Sequence, residues 1–446
     1  MRALCLFQRA MSQVAVLKHK QACVAGIWRM PRGVLSASGA CPARTEAERR
    51  PNTPQLCCVI SLMPRQLAAG YLTEEENMTE RLPILYDKKP CYDIVFTQSF
   101  DELWQELAAL NGENRRICIV TDSKVDELYG QEVLDLLQGK CLKAAKYAFL
   151  SGEENKTLDT VKGIYTYLIQ EGFDRKDLIL ALGGGVVGDT AGYVAATYLR
   201  GIDYVQVPTT LLAQTDSSIG GKTGVDFDGY KNMVGAFKMP RLVYMNLSVL
   251  RTLDDRQFFS GFAEVMKHGL IKDVILYQWL IENMYEICER DLDTLQEMLK
   301  RSCTVKKLVV EKDPTEQGDR ALLNYGHTIG HAIEKAKHFE LAHGECVALG
   351  AVAAAYISWK RELLTMEEYY EIRDMFVPFN LPISVEDIDP QEILRLTKSD
   401  KKMEAGKVKF ILLKKIGKAV IDRTVTDEEI LAAIEEIHFS DEDAHA

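Results

Sequence analysis

Two histidines four residues apart, His327 and His331 in Tyr325-Gly-His-Thr-Ile-Gly-His331, form the most chemically suggestive pair in this 446-residue sequence. On a helix they share one face, which can hold a metal ion or can pair one ligand with one proton-transfer group. His343 follows in the short loop Ala342-His-Gly-Glu345, and Glu264 stands in Phe262-Ala-Glu-Val-Met-Lys-His268, with Lys267 on nearly the same side of a helix. One carboxylate and two imidazoles that leave a coordination position open suit a catalytic zinc-type dication. An isolated histidine pair is more often structural. Here, though, four of the chain's eight histidines fall in these short segments, which shifts the weight toward a metal.

A second constellation is the run Gly183-Gly184-Gly185-Val186-Val187-Gly188-Asp189, which follows an apolar strand pattern and opens a helix. Glycines there let the backbone approach a pyrophosphate whose charge the helix N-terminus favours. The motif alone is weak, because a tight strand-to-helix turn needs the same residues. A third constellation is basic. Lys222 and Lys231-Asn232 follow Pro208-Thr-Thr-Leu-Leu-Ala213, and Lys267, Lys306 and Arg320 come later, close to glycines, to Asp216 and to the candidate ligands. A substrate carrying both a phosphate and a carboxylate needs such a set, with arginine providing a planar fork. Glu316 and Gly318 interrupt the segment between Lys306 and Arg320, so the chain is expected to fold back there and bring the two cations together.

The elements that must hold these residues follow from periodicity. Ile117–Val120, Leu178–Leu182 and Tyr204–Val207 are short apolar runs, with helical patterns at Val125–Leu137 and Leu158–Glu171 between them. Buried strands alternating with helices predict a mostly parallel sheet covered on both faces. After about Leu253 the strand signal fades, and helices are expected at Phe258–Ile271, Val274–Glu289, Asp293–Val310, Thr328–Lys335 and Gly344–Lys360. The predicted class is therefore α/β, with a Rossmann-like domain over residues 78–253, a mainly helical metal- and substrate-binding domain over 254–446, and the active site in the cleft between them. Residues 1–77 are arginine-rich and lack any hydrophobic period. They read either as a targeting segment or, preferably, as an extension upstream of a true start at Met78.

Composition excludes several classes. Hydrophobic residues make up 47%, the level of a globular protein, and the formal charge of -11 opposes any general affinity for nucleic acid or anionic membrane. The longest apolar stretch, Cys346–Trp359, is too short to span a bilayer and reads as a buried helix. Eleven scattered cysteines, odd in number, read as free thiols of a reducing cytoplasm.

Taken together, Gly183–Asp189, Gln206-Val-Pro-Thr-Thr-Leu-Leu-Ala213, Asp216-Ser-Ser-Ile-Gly-Gly-Lys222, Glu264-Val-Met-Lys267 and Asn324-Tyr-Gly-His327 through His331 resemble the 3-dehydroquinate synthase family, in order, over roughly Leu82 to Ile437. The resemblance implies zinc (or cobalt) held by Glu264, His327 and His343. It implies NAD contacts from Asp122, Glu153, Lys156, Gly183, Gly184, Gly185, Asp189, Thr209, Thr210, Lys231 and Thr252. It carries substrate contacts to Asp216, Lys222, Asn232, Lys267, Lys306, Arg320, Asn324 and His331, and to Lys401 or Lys402. Glu316 and His331 match proton-transfer positions, and Lys222, Lys267, Arg320 and Asn324 belong with them to the catalytic set. Arg200 matches an arginine that reaches a neighbouring subunit's phosphate pocket, which implies a homodimer.

The implied reaction, the second step of the shikimate route to aromatic amino acids, turns 3-deoxy-D-arabino-heptulosonate 7-phosphate into 3-dehydroquinate and phosphate. Oxidation by NAD, phosphate elimination, return of the hydride, ring opening and an intramolecular aldol step follow one another, so NAD is not consumed. The alternatives are a related cyclase acting on sedoheptulose 7-phosphate or glucose 6-phosphate, a metal-dependent polyol dehydrogenase, and a non-catalytic NAD-binding regulator.

Overall fold

A computed structural model of the chain describes residues 80–316, 318–399, 403–404 and 407–439. The chain divides into two units, Met1–Met78 and Thr79–Ala446. The first lies outside the described residues, and with it the extension expected over residues 1–77; Lys401 and Lys402 lie outside them as well.

Seven strands build the main sheet: β1 (Glu80–Tyr86), β2 (Lys89–Thr97), β3 (Arg116–Asp122), β4 (Lys143–Phe149), β5 (Leu178–Gly183), β6 (Asp203–Pro208) and, after an excursion, β9 (Leu242–Asn246). Their spatial order is β1-β2-β9-β6-β5-β3-β4, with β1 antiparallel to β2 and the other pairs parallel. Side chains alternate between two cores, as the two-residue period of a strand requires. Cys118, Val120, Ile179 and Ala181 enter one cluster with α1 (Leu158–Gln170) and α2 (Gly185–Thr197). Ile117, Ile119, Leu178, Leu180 and Leu182 enter the other with Leu103, Leu107, Val133 and Leu137. Both faces of the sheet are therefore dry, which is why its strands read as continuous apolar runs.

The excursion is a hairpin, β7 (Lys222–Phe227) paired antiparallel with β8 (Tyr230–Phe237). Its two-residue loop, Asp228-Gly229, has φ of 53° and 77°, the doubly left-handed turn that matches strand twist and that an Asp-Gly pair adopts readily. Beyond β9 the chain is mainly helical. The functional helices are α3 (Asp255–Lys272), α4 (Leu292–Lys312), α5 (His327–Ala336) and α6 (His343–Lys360).

The expected elements are present with boundaries moved by a few residues, and with three differences. The segment Val125–Leu137 contains a wide turn at Asp126–Gly130 before the helix Gln131–Leu137. The helix expected over Val274–Glu289 is broken at Asn283 into Val274–Glu282 and Met284–Cys288. Strands do return after Leu253: β10 (Met403–Glu404) pairs with β11 (Lys407–Val408), and β12 (Phe410–Lys415) with β13 (Lys418–Asp422). Flanking lysines masked the apolar run Phe410–Leu413, whose four side chains are buried. No described helix is long and apolar enough to cross a membrane.

Candidate active site

The carboxyl ends of β3, β5 and β6 open onto a cleft of about 1180 Å³. From β3 the chain crosses outward to β4, then returns past β3 to β5, so the strand order reverses between β3 and β5. That is the switch point at which open α/β sheets bind ligands. Asp122 ends β3 and caps the next turn, accepting from the Lys124 and Val125 amides at 2.9 and 3.0 Å. Gly183 ends β5, and Gly184 is the N-cap of α2. A Cβ on Gly184 would lie 2.9 Å from the Thr210 methyl, so any larger residue would fill the space over the helix start. Thr209 contributes a buried hydroxyl with no hydrogen-bond partner among the described residues, and an orphan of this kind calls for a ligand atom.

Of the cofactor positions implied by resemblance, Asp122, Glu153, Lys156, Gly184, Gly185 and Asp189 line this cleft, as do Thr209, Thr210, Lys231 and Thr252. Gly183 lies buried just beneath them. Lys156 is nearly enclosed and donates to Asp189 at 2.8 Å and to Asn232 at 2.7 Å. Burial raises the pKa of the Asp189 carboxyl, and Lys156 partly offsets this. The set fits an adenine dinucleotide: glycines at a helix start for a pyrophosphate, and carboxylates and hydroxyls around it for ribose oxygens.

Across the cleft three helices supply the ligand cluster. Glu264 and Lys267 come from α3, His327 from the first residue of α5, and His343 from the first residue of α6. Gly326, at φ 79°, turns the chain into α5. Gly344 allows α6 to begin against α3, with its amide donating to Ser260 Oγ at 2.9 Å. A Cβ at position 344 would run into the Ser260 backbone, 2.6 Å from its Cα. Gly344→Ala is therefore expected to destabilise the protein by about 1–3 kcal/mol and, by moving His343 away from Glu264, to lower bound metal. Thermal melting and elemental analysis read both effects, and an unchanged melting temperature with full metal content would contradict the packing argument.

The ligand atoms of Glu264, His327 and His343 lie within 4.8 Å of one another. Glu264 Oε1 is 3.5 Å from His327 Nε2 and 3.4 Å from His343 Nε2. Both Glu264 oxygens are buried without a well-formed hydrogen bond, although Lys267 approaches Oε2 as an ion pair. His327 Nδ1 faces the Tyr325 carbonyl at 3.0 Å, which holds the tautomer whose Nε2 lone pair points at Glu264. Burial alone would lower the pKa of His343, but Glu264 and Glu334 outweigh it and hold the imidazole up at about 9. The site thus attracts positive charge, and a dication with N and O donors fits it.

His331, four residues along α5, is excluded from this trio. It groups instead with Glu334 and His343, its ring 5.1 Å from that of His327. A further acidic group, Asp216, Glu264 and His268, already has Lys306 and Lys267 among it. Burial, followed by Lys267, pushes the His268 pKa down to about 3.

Asp216, Lys222, Asn232, Glu316 and Asn324 line the cleft. Lys222 pairs with Glu316, and Asn324 Nδ2 donates to the other Glu316 oxygen at 2.9 Å. Glu316 sits at φ 60°, a strained conformation for a non-glycine residue that recurs at functional sites. Burial tends to raise its pKa, but Lys222 and Asn324 hold it below the ordinary carboxylate value. The expected fold-back after Lys306 occurs: Asp313 Oδ2 accepts from the Gly318 amide at 2.7 Å and the Arg320 amide at 3.0 Å.

Lys306 and Arg320, with Lys267, are buried behind the cleft surface rather than lining it. Lys306 donates to Asp216 Oδ1 at 2.6 Å, and Arg320 to the Gly220 carbonyl at 3.3 Å. Burial works against the Asp216 charge, yet Lys306, Lys267 and His268 keep its carboxyl well below the usual range. Arg200 does not line the cleft either. It follows α2, whose 13 residues carry the chain roughly 20 Å from the glycine end.

Among the cleft residues that the sequence reading did not single out are Glu334, seven positions after His327 on α5, and Lys409 next to β12. Helical spacing would have found Glu334. Lys409 carried no periodic signal. The described cysteines, among them Cys118, Cys303 and Cys346, are free thiols.

With this geometry in place, comparison with known proteins is informative. Residues 146–260 match the family described as 3-dehydroquinate synthase N-terminal, and residues 261–403 match 3-dehydroquinate synthase C-terminal. The chain is 42% identical over 347 residues to the 3-dehydroquinate synthase of Ruminiclostridium cellulolyticum, covering 78% of this chain and 96% of that one. A 3-dehydroquinate synthase of Acetivibrio thermocellus is also 42% identical, over 345 residues, covering 77% and 95%. Among solved structures, 2-epi-5-epi-valiolone synthase from Streptomyces hygroscopicus with NAD+ and Zn2+ bound aligns with a TM-score of 0.72 at 29% identity, over 78% of this chain and 96% of that one. A 2-deoxy-scyllo-inosose synthase complexed with carbaglucose-6-phosphate, NAD+ and Co2+ aligns at 0.71 and 26%, over 80% and 100%.

Proposed function

The chain belongs to the 3-dehydroquinate synthase family, and on that premise we propose that its cleft converts 3-deoxy-D-arabino-heptulosonate 7-phosphate into 3-dehydroquinate and phosphate, as a phosphate-eliminating lyase holding NAD and one zinc or cobalt ion. The observation that carries this reading is the meeting at one cleft of the Glu264–His327–His343 cluster, a glycine-lined helix start and a wall that includes Lys156, Lys222 and Lys231. When bound, NAD supplies a hydride acceptor that is restored within each turnover, and the dication supplies a Lewis acid that favours ionisation of a substrate hydroxyl.

The chain's own groups do the rest. We assign residues 78–253 to the nucleotide and 254–446 to metal and substrate. Asp122, Glu153, Lys156, Gly183, Gly184, Gly185, Asp189, Thr209, Thr210, Lys231 and Thr252 hold NAD. Asp216, Asn232, Lys267 and Asn324 orient the sugar hydroxyls, while Lys222 binds phosphate and positions Glu316. His331 and Glu316 move protons: both line the cleft without belonging to the ligand cluster, and Glu316 is ionised at neutral pH. Lys306 and Arg320 set the positive potential that a carboxylate substrate needs, and a lysine at 401 or 402 completes the pocket. Arg200, too far from its own cleft, serves that of a second copy in a homodimer. We assign the enzyme to a reducing compartment, the cytoplasm, a reading that the free thiols among the described residues support.

The test is substrate discrimination. Purified protein with NAD and zinc should release phosphate from the heptulosonate phosphate and neglect sedoheptulose 7-phosphate, which lacks the carboxylate. Losing a charge-assisted contact costs about 1.5–3 kcal/mol, roughly ten- to a hundredfold in kcat/KM. Arg320→Ala, which removes part of that positive potential, should lose up to about that much, and Arg320→Lys should recover only part, since an ammonium cannot keep the guanidinium's bonds to both the Gly220 and Pro314 carbonyls. Equal turnover of both sugars would move the assignment to another cyclase. NADH accumulating in step with product would move it to a dehydrogenase.

A further inference from the structure

Glu334 has no place in the scheme above, yet it touches both halves of the site. It lies seven residues after His327 and three after His331 on α5, so all three residues share one face of the helix. Its side chain is only 6% exposed. Oε1 accepts from Lys231 Nζ at 2.8 Å and lies 3.8 Å from His343 Nδ1. The opposite nitrogen of that imidazole, Nε2, faces Glu264 at 3.4 Å. Lys231 comes from hairpin strand β8, and its ammonium also sits 3.9 Å from Glu153 and 4.8 Å from the Phe339 ring centroid.

We propose that Glu334 is a positioning residue shared between His343 and Lys231, so that the nucleotide-side hairpin tunes how strongly the cluster holds its metal. The inference rests on the assignment of His343 as a ligand. A ligating imidazole binds better when its other N–H points at a carboxylate, because the anion fixes the tautomer and raises the basicity of the ligating nitrogen. At 3.8 Å the His343–Glu334 contact is electrostatic, and a small rotation of the ring brings it to hydrogen-bond length. A lysine on the same oxygen neutralises part of that charge. Lys231 therefore competes with His343 for Glu334, and whatever draws Lys231 toward an anionic ligand in the cleft leaves more of the carboxylate to the imidazole. His327 has no such control, since its Nδ1 faces a backbone carbonyl.

The competition predicts opposite signs for two substitutions on one ion pair. Zinc affinity is to be measured by competition with a chromophoric chelator on the full chain, stripped of metal, with thermal melting as the check on folding. Glu334→Gln should weaken zinc about ten- to a hundredfold. Lys231→Met should tighten it by roughly two- to fivefold, the scale of one partly exposed ion pair. In the double variant the benefit of Lys231→Met should vanish, because the carboxylate it acts through is gone. If Glu334→Gln does not fold, Glu334→Asp, which keeps the charge but withdraws it, should give a smaller loss of the same sign. Zinc affinity unchanged in Glu334→Gln, or weakened in Lys231→Met, would overturn the proposal. Failure of the wild-type chain to bind zinc would overturn the ligand assignment beneath it, and the proposal with it.

Discussion

Replacing Glu264 by glutamine should reduce kcat/KM by at least about a thousandfold and leave the purified enzyme depleted of metal. The carboxylate is wholly buried, faces the imidazoles of both His327 and His343, and is the only acid of the trio. A metal Lewis acid contributes several kcal/mol to the stability of developing charge, and about 1.4 kcal/mol corresponds to a factor of ten. The substitution keeps the volume and removes the charge, so Lys267 and the cationic form of His343 lose their shared counter-ion. Breaking a buried pair in this way also costs about 3–5 kcal/mol of stability, which a melting curve separates from the kinetic effect. Chelation of the wild type should give the same loss of turnover, restored by zinc or cobalt. Added metal should not restore the variant. Full activity of metal-free wild type would refute the assignment.

The second large effect is expected at Glu316. Proton transfer by a positioned side chain contributes about 10²–10⁴-fold, so Glu316→Gln should lower kcat by that order while preserving the hydrogen bond from Asn324. The pH profile tests the role more sharply. The Glu316 pKa lies below its ordinary value, so the carboxylate is ionised throughout the neutral range and its contribution is lost only as pH falls through the depressed pKa. Burial raises this pKa, and Lys222 is the largest opposing cause. In Lys222→Met burial prevails, and the acid limb of kcat/KM should move to higher pH. An acid limb that stays in place, or moves lower, would separate Lys222 from Glu316.

Much of this arrangement was legible in the chain because it depends on short-range periods. The alternate placement of Ile117, Cys118, Ile119 and Val120 in two cores follows from a two-residue repeat, and the shared face of His327 and His331 follows from a helical one. The pattern failed where packing overrode it. Phe410–Leu413 is a buried strand bordered by lysines, and Val274–Glu289 breaks at Asn283 although its apolar pattern runs on. The hairpin tip Asp228-Gly229 carried a turn signal that could have been recognised.

By itself the sequence determined the class of chemistry, namely imidazoles and a carboxylate for a dication, glycines at a helix start and lysines near both, because those are properties of residue type and local spacing. Only the tertiary structure decided which residues meet. It joined His343 rather than His331 to Glu264, enclosed Lys306 and Arg320 behind Asp216 and Gly220, kept Arg200 away from its own cleft, and set Glu334 between His343 and a hairpin lysine. The physical reason is that a helical period orients a side chain only about its own axis. Bringing two helix starts and one mid-helix position to within a few ångströms depends on how closely backbones approach, here on Gly344 resting against Ser260.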